Sequence, residues 1–158
     1  MRRSARPDPP VALAAAGVAD ARALALELGG GHGPAVPVDV MRLGVTLEPG
    51  ESAFRAVTLW LRWQVDGVWS QASLCLVVVT DRRAVARLPV GGLRSFWWGS
   101  LVGLDIDLVA GHVVLDYGDG RPRSLSGEGA GVVAVMAVAQ AYGVAALTTH
   151  AAIAPLRR

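Results

Sequence analysis

LCLVVVTDRR (residues 74–83), FWWGSLVGLDIDL (96–108) and HVVLDYGDG (112–120) decide how this chain folds. Three apolar runs of strand length are separated by Thr80-Asp81-Arg82-Arg83, Ala110-Gly111 and Gly118-Asp119-Gly120. Gly at such points supplies positive φ, and Asp and Thr offer local side-chain hydrogen bonds. Short apolar runs alternating with turns describe an antiparallel meander. No recognisable catalytic constellation is embedded in it.

Working outward, the period of two persists on both sides. In Leu101–Leu108 the even positions Val102, Leu104, Ile106 and Leu108 predict a core face, with Asp105 and Asp107 pointing away. Val113, Leu115 and Tyr117 repeat the pattern, and a short strand over Arg121–Leu125 follows. Upstream, Phe54–Val65 places Val57, Leu59, Leu61, Trp63 and Val65 on one face and Thr58, Arg62 and Gln64 on the other. Asp66-Gly67 is a strong hairpin signal. Ser70–Thr80 is apolar on both faces, as a central strand between packed layers must be. Ala84–Leu88 continues the meander, and Gly91-Gly92 opens a loop leading to Trp97-Trp98. Before all of these, Val38–Leu47 is a possible strand or edge segment, turned by Glu48-Pro49-Gly50-Glu51.

Helical patterns bracket the strands. Val11–Leu28 is rich in Ala and Leu and ends at Gly29-Gly30-Gly31. A second helix is predicted from about Glu128 to Tyr142, with Ser126 as cap, Glu128 in the first turn and Gly143 as stop. Val132, Val135, Met136, Ala139 and Tyr142 recur at helical spacing and form its apolar face. The resulting division is a disordered tail at 1–10, a helix and Gly/Pro linker at 11–37, a β-rich domain at 38–145 and a C-terminal tail at 146–158.

Composition narrows the class. Apolar residues make up 53% of the 158, enough for a substantial core. All fifteen basic residues are Arg, which reflects GC-rich codon usage, and the net charge is only +2. No nucleic-acid partner is expected from so balanced a chain. Cys75 is the single cysteine, inside an apolar strand run, so no internal disulfide exists. Arg2, Arg3, Arg6 and the apolar stretch Val11–Ala19 imitate a signal peptide, but Pro9-Pro10 and helical continuation through Glu27 argue against one. Residues 130–147 approach the length of a membrane span, yet half are Ala or Gly, so a buried core helix is the better reading. A cytoplasmic location is expected.

The order of strands followed by one C-terminal helix resembles the pleckstrin-homology superfold, especially its bacterial PH-like and GRAM-like domains. The resemblance rests on Leu47-Glu-Pro-Gly-Glu51, Val79-Thr-Asp-Arg-Arg83, the Phe96–Asp107 stretch, Val113–Gly120 and the helix ending Ala141-Tyr-Gly143. It implies an α+β fold: a mostly antiparallel split barrel of about six or seven strands, plugged by the C-terminal helix, with the N-terminal helix as an addition. It also implies a binding or scaffolding module without enzymatic activity or cofactor, most simply one that engages a protein. In lipid-binding members the basic motif lies in the first hairpin loop. Here Asp66-Gly-Val-Trp-Ser70 holds no basic residue.

The best candidate binding surface is Arg82, Arg83, Arg87 and Arg94 beside Phe96, Trp97 and Trp98. Guanidinium forks hold phosphate or carboxylate, and Trp anchors in headgroups or in a partner's pocket. Such a surface would make the protein peripheral to the inner face of an anionic membrane, or would seat a protein partner. Asp105 and Asp107 form a weak D-x-D candidate for a divalent cation, without a further ligand in view. His32, His112 and His150 lack zinc spacing, and no G-x-S-x-G elbow starts a hydrolase triad. The Ala-rich helices carry small residues that permit close packing, within the chain or across a dimer, so self-association is a further expectation.

Overall fold

The computed structural model describes residues 15–158, so the tail at 1–10 and the start of the first helix at 11–14 lie outside the described residues. In chain order the strands are β1 (Ala53–Val65), β2 (Val68–Trp69), β3 (Ser73–Thr80), β4 (Arg83–Arg87), β5 (Leu93–Trp97), β6 (Gly103–Asp107), β7 (His112–Asp116) and β8 (Arg123–Ser126). Two α-helices flank them, α1 (Ala15–Gly30) and α2 (Ala130–Tyr142), and 3-10 segments cover Trp98–Ser100, Val144–Thr148 and Ala151–Arg157. The architecture is α+β, with a mostly antiparallel open sheet.

The sheet runs β5-β4-β3-β1-β8-β7-β6, with β2 hairpinned onto β1. β1 is 13 residues long and pairs with β3 on one side and β8 on the other. It therefore joins the β3–β5 meander to the β6–β8 meander, and β5 and β6 form the two edges. Asp66 (φ 50°) and Gly67 (φ 76°) make the two-residue β1–β2 turn, the positive φ pair that a tight hairpin requires.

Alternation along β1 sends Leu59 and Leu61 inward and leaves Thr58 and Trp60 outward, as the period predicts. The inward face meets α2. Every residue from Ala130 to Ala139 is buried, which is why the helix shows no polar stripe. It lies between the sheet and a third layer made of α1 and the C-terminal 3-10 segments, whose Ala21, Leu24, Leu147, Ile153 and Leu156 join the same core. Each buried Val or Leu there stabilises the fold by about 1.5–3 kcal/mol relative to exposure. Small residues set the spacing: a Cβ on Gly131 would stand 3.1 Å from that of Ala21, and one on Gly17 would lie 2.5 Å from the Glu128 carbonyl oxygen. The Ala- and Gly-rich helices thus pack closely on each other within the chain. Arg55, on β1, ties α1 to the sheet by ion pairs with Asp20 (2.7 Å) and Glu27.

Five expectations need correction. Val38–Leu47 forms no strand; its backbone bonds are local turns, such as Val45 N–H to the Val40 carbonyl at 2.9 Å. The segment instead lays Val45 over Val78 and Val85 on the outward face of the sheet. The region before Trp98 is a strand, β5, and not a loop. Ser126 does not cap α2: it ends β8, Gly129 takes the cap position without a side-chain bond, and Glu128 precedes the helix. Val102 is 71% exposed, because it precedes β6 and escapes its alternation. Tyr142 stands outside the core at the helix end and packs its ring 4.8 Å from that of His150. No described helix is long and apolar enough to cross a membrane.

Candidate functional site

The predicted Arg/Trp surface comes apart when its residues are placed. Arg83 opposes Trp97, Val85 opposes Ser95 and Arg87 opposes Leu93, all on the outward face. Ala84 opposes Phe96 and Ala86 opposes Arg94 on the other face. Successive residues of a strand point to opposite sides, so residues close in sequence are divided between the two faces. Phe96 (6% exposed) and Trp98 (3%) belong to the core and are not available to a ligand.

The Thr80-Asp81-Arg82-Arg83 turn is the organising point of this corner. The Thr80 hydroxyl accepts from the backbone N–H groups of Arg82 and Arg83 at 3.0 and 2.9 Å and donates to Glu51 Oε2 at 2.7 Å. Trp98 Nε1 donates to the Thr80 carbonyl at 2.9 Å, so the indole's one polar group is satisfied inside the core. The Glu51 side chain is fully buried, and it accepts a bidentate fork from Arg83 at 2.9 and 3.0 Å. Burial pushes the Glu51 carboxyl up, but bonds from Arg83, the Glu48 N–H and Thr80 outweigh it and hold the group below its ordinary value.

The same arginine reaches further. Arg83 Nη2 donates to the Thr46 carbonyl at 2.9 Å, its Nη1 to Ser95 Oγ at 2.9 Å, and its guanidinium carbon sits 4.7 Å from the Trp97 ring centroid. Arg87 Nη1 donates to the Leu43 carbonyl at 3.1 Å. Arg83 and Arg87 therefore fasten the 38–47 segment onto the outward face. Arg82 makes an open ion pair with Glu48 at 3.4 Å, while Arg94 is exposed and without a side-chain partner among the described residues.

The rest of the outward face carries half-buried and exposed side chains. Strand register aligns Leu74, Trp60, Ser126, His112 and Asp107 in one row across β3, β1, β8, β7 and β6. A neighbouring row holds Arg62, Ser124, Val114 and Asp105. Trp60 is 39% exposed and Leu74 46%, side by side on adjacent strands. The two candidate metal residues thus sit on this face, at its β6 end. No group of three metal-ligating side chains occurs among the described residues, and Asp107 Oδ1 is occupied by the Ala110 N–H at 2.9 Å.

Ser126, His112 and Asp107 in a single row is a juxtaposition that sequence spacing conceals. A nucleophilic relay requires the base within hydrogen-bond reach of both neighbours. No such bond joins the three side chains among the described residues, and they lie on an open sheet face. The row is polar surface bordering Trp60. What the sequence reading missed is Trp60 itself, whose signal was present: an apolar residue at an even position of an otherwise alternating strand. A comparison with protein-family models finds no match to this chain, and a comparison with curated proteins finds none either.

Proposed function

We propose that this chain is a PH-like, non-catalytic binding module that seats a protein partner on the open half of its outward sheet face. The observation that carries this reading is the Trp60–Leu74 pair, large apolar side chains exposed together on adjacent central strands. Paired apolar residues rimmed by polar ones mark interaction sites, and Trp is the residue type most enriched among interface hot spots. Ser126 and His112 continue the row from Trp60, and Asp105 and Asp107 lie at its far end on β6, which favours a partner that presents an apolar anchor and carries basic groups at a distance along the face. The PH-like reading is supported by the antiparallel meander, by the pairing of the long β1 with both β3 and the last strand, and by the helix that follows that strand across the inward face.

The alternative, docking on anionic lipid through the Arg/Trp surface, draws less support. Arg83 and Arg87 spend their donors on the chain's own carbonyls and on Glu51, and two of the three aromatics are core residues. A photo-crosslinking residue at position 74, beside an intact Trp60, tests the protein-binding reading in cells of the source organism. A specific polypeptide adduct at 74, absent when the same residue replaces exposed Val90, is the expected result. Adducts at neither position, together with salt-sensitive sedimentation on anionic vesicles lost in Arg94→Ala, would replace it with the lipid reading.

A further inference from the structure

The two edges of the sheet are chemically unlike. Strands of five residues end it on both sides, β5 (Leu93-Arg-Ser-Phe-Trp97) and β6 (Gly103-Leu-Asp-Ile-Asp107). The ladder between β4 and β5 fixes which main-chain groups of β5 are already spent. At its two ends Leu88 N–H donates to the Gly92 carbonyl at 2.9 Å and Trp98 N–H to the Arg82 carbonyl at 3.0 Å. Bonded and non-bonded pairs alternate along an antiparallel ladder, so Arg94 and Phe96 aim their N–H and C=O groups at β4. Leu93, Ser95 and Trp97 aim theirs away from the sheet, and among the described residues none of those groups has a hydrogen-bond partner. The side chains of Leu93, Arg94 and Ser95 are exposed along the same stretch.

A row of unpaired donors and acceptors is a template for another strand. The side chains of β5 select a second copy of β5 running antiparallel. With a two-fold axis at Ser95, that residue opposes its own copy, and Leu93 opposes Trp97 of the second copy. The residues whose main-chain groups point outward are then the ones that face each other, so N–H meets C=O at 95 and at both 93–97 pairs. Leu93 and Trp97 lie on the outward face, where an aliphatic–aromatic cross-strand pair is favourable. Arg94 falls opposite Phe96 on the other face, and no like charges meet. β6 is the contrary case. Its full overlap with a copy of itself opposes the exposed Asp105 to Asp105, and like charges placed opposite each other keep a sheet edge unpaired. Self-pairing is opposed at one edge and open at the other.

We infer that this chain forms a two-fold dimer through antiparallel β5–β5 pairing at Ser95, which continues the sheet from one copy into the next. β4 and β3 separate this edge from Trp60, so the dimer contact and the protein-docking face are distinct. Five residues a side fall short of the roughly 20–30 of a standard interface, so the association is reversible and concentration-dependent. Small-angle scattering of the full chain from about 0.01 to about 1 mM should show the apparent mass rise from one chain toward two. Ser95→Pro should hold it at one chain with an unchanged circular dichroism spectrum, because the N–H it removes is not part of the β4–β5 ladder. Ser95→Cys gives a second readout, which decides alone if Ser95→Pro alters the spectrum. A bonded antiparallel pair sets its Cα atoms about 5.5 Å apart, within reach of a disulfide, and the native Cys75 is buried. Under mild oxidation Ser95→Cys should therefore link two chains at least about tenfold faster than Val90→Cys, which is exposed but does not face its own copy. Trp60→Ala should dimerise as the wild type does, which separates a failure here from a failure of the docking reading. A one-chain mass at every concentration, wild-type association in a folded Ser95→Pro, loss of association in Trp60→Ala, or equal linking rates at 95 and 90 would each overturn the assignment.

Discussion

On the outward face of the sheet, the β3–β5 half and the β1–β8–β7 half both present apolar side chains, but they meet different surroundings. Val78 and Val85 are covered by the 38–47 segment, which is held down by two arginines and a buried glutamate. Trp60, one strand further on, and Leu74, at the far end of β3 from the Thr80 turn, remain partly exposed to solvent. The difference lies in the polar chemistry at the margin. Val78 and Val85 lie beside the Thr80 turn, where Glu51 and Arg83 can meet in a dry corner and where free carbonyls of the passing segment receive the remaining donors. The open half carries Arg62, Ser124, Ser126 and His112 around Trp60. Trp60 and Leu74 keep 39% and 46% exposure there, and the apolar pair stays available to another molecule.

The largest test of this contrast is Glu51→Gln. It leaves Arg83 half-buried without its counter-charge, and removing one member of a buried pair costs about 3–5 kcal/mol. Chemical denaturation should show a loss of that order, and hydrogen exchange should show 38–47 opening first. Much of the loss should be recovered in Glu51→Gln/Arg83→Met, since replacing both partners removes the stranded charge. A double variant as unstable as the sum of the single ones would mean that the clamp is not a coupled unit.

Acid should loosen the covered half in the same way. Glu51 and Glu27 are both held below the ordinary carboxyl value, Glu27 mainly by its bond from Arg55. A carboxyl whose folded pKa is depressed contributes stability that is complete above its unfolded value of about 4.3 and is lost as pH falls through the folded value. Stability should therefore be level near neutrality and decline below about pH 4.3, with a shallower acid limb in Glu51→Gln. An unchanged limb in that variant would assign the acid response elsewhere.

Arg87→Ala removes one charged donor from the Leu43 carbonyl and should cost about 1 kcal/mol, felt mainly as faster exchange of 38–47. At the small end, Trp60→Ala on the open half should change stability by no more than about 0.5 kcal/mol while abolishing the partner adduct at a crosslinker placed at Leu74. A large stability loss on Trp60→Ala would show that the indole serves the fold and would dissolve the contrast between the halves.

The legible and illegible parts of this chain divide along physical lines. The β1 pattern, the Asp66-Gly67 hairpin, the two-faced apolar character of β3 and the burial of the C-terminal helix were readable, because period and turn chemistry act over a few residues. The candidate site was misread for the complementary reason. Trp97-Trp98 looks like an exposed anchor as a dipeptide, yet one indole turns into the core to meet the Thr80 carbonyl and the other lies under Arg83. Arg83 looks like a free cation until Glu51, separated by 32 positions, is brought against it. Val38–Leu47 carries enough alternation to suggest a strand, but its backbone closes on itself in local turns and the segment lies on the sheet face instead of pairing at an edge.

By itself the sequence determined an α+β chain with an antiparallel meander and a closing helix that is apolar except for Gln140, since alternation, positive-φ turns and burial of apolar runs are local consequences of composition. Only the tertiary structure decided which arginines are spent on the chain's own carbonyls, which tryptophans are core, and which apolar pair remains exposed. Those outcomes depend on contacts between residues far apart in the chain, where hydrogen bonding and desolvation are settled by what the fold brings together.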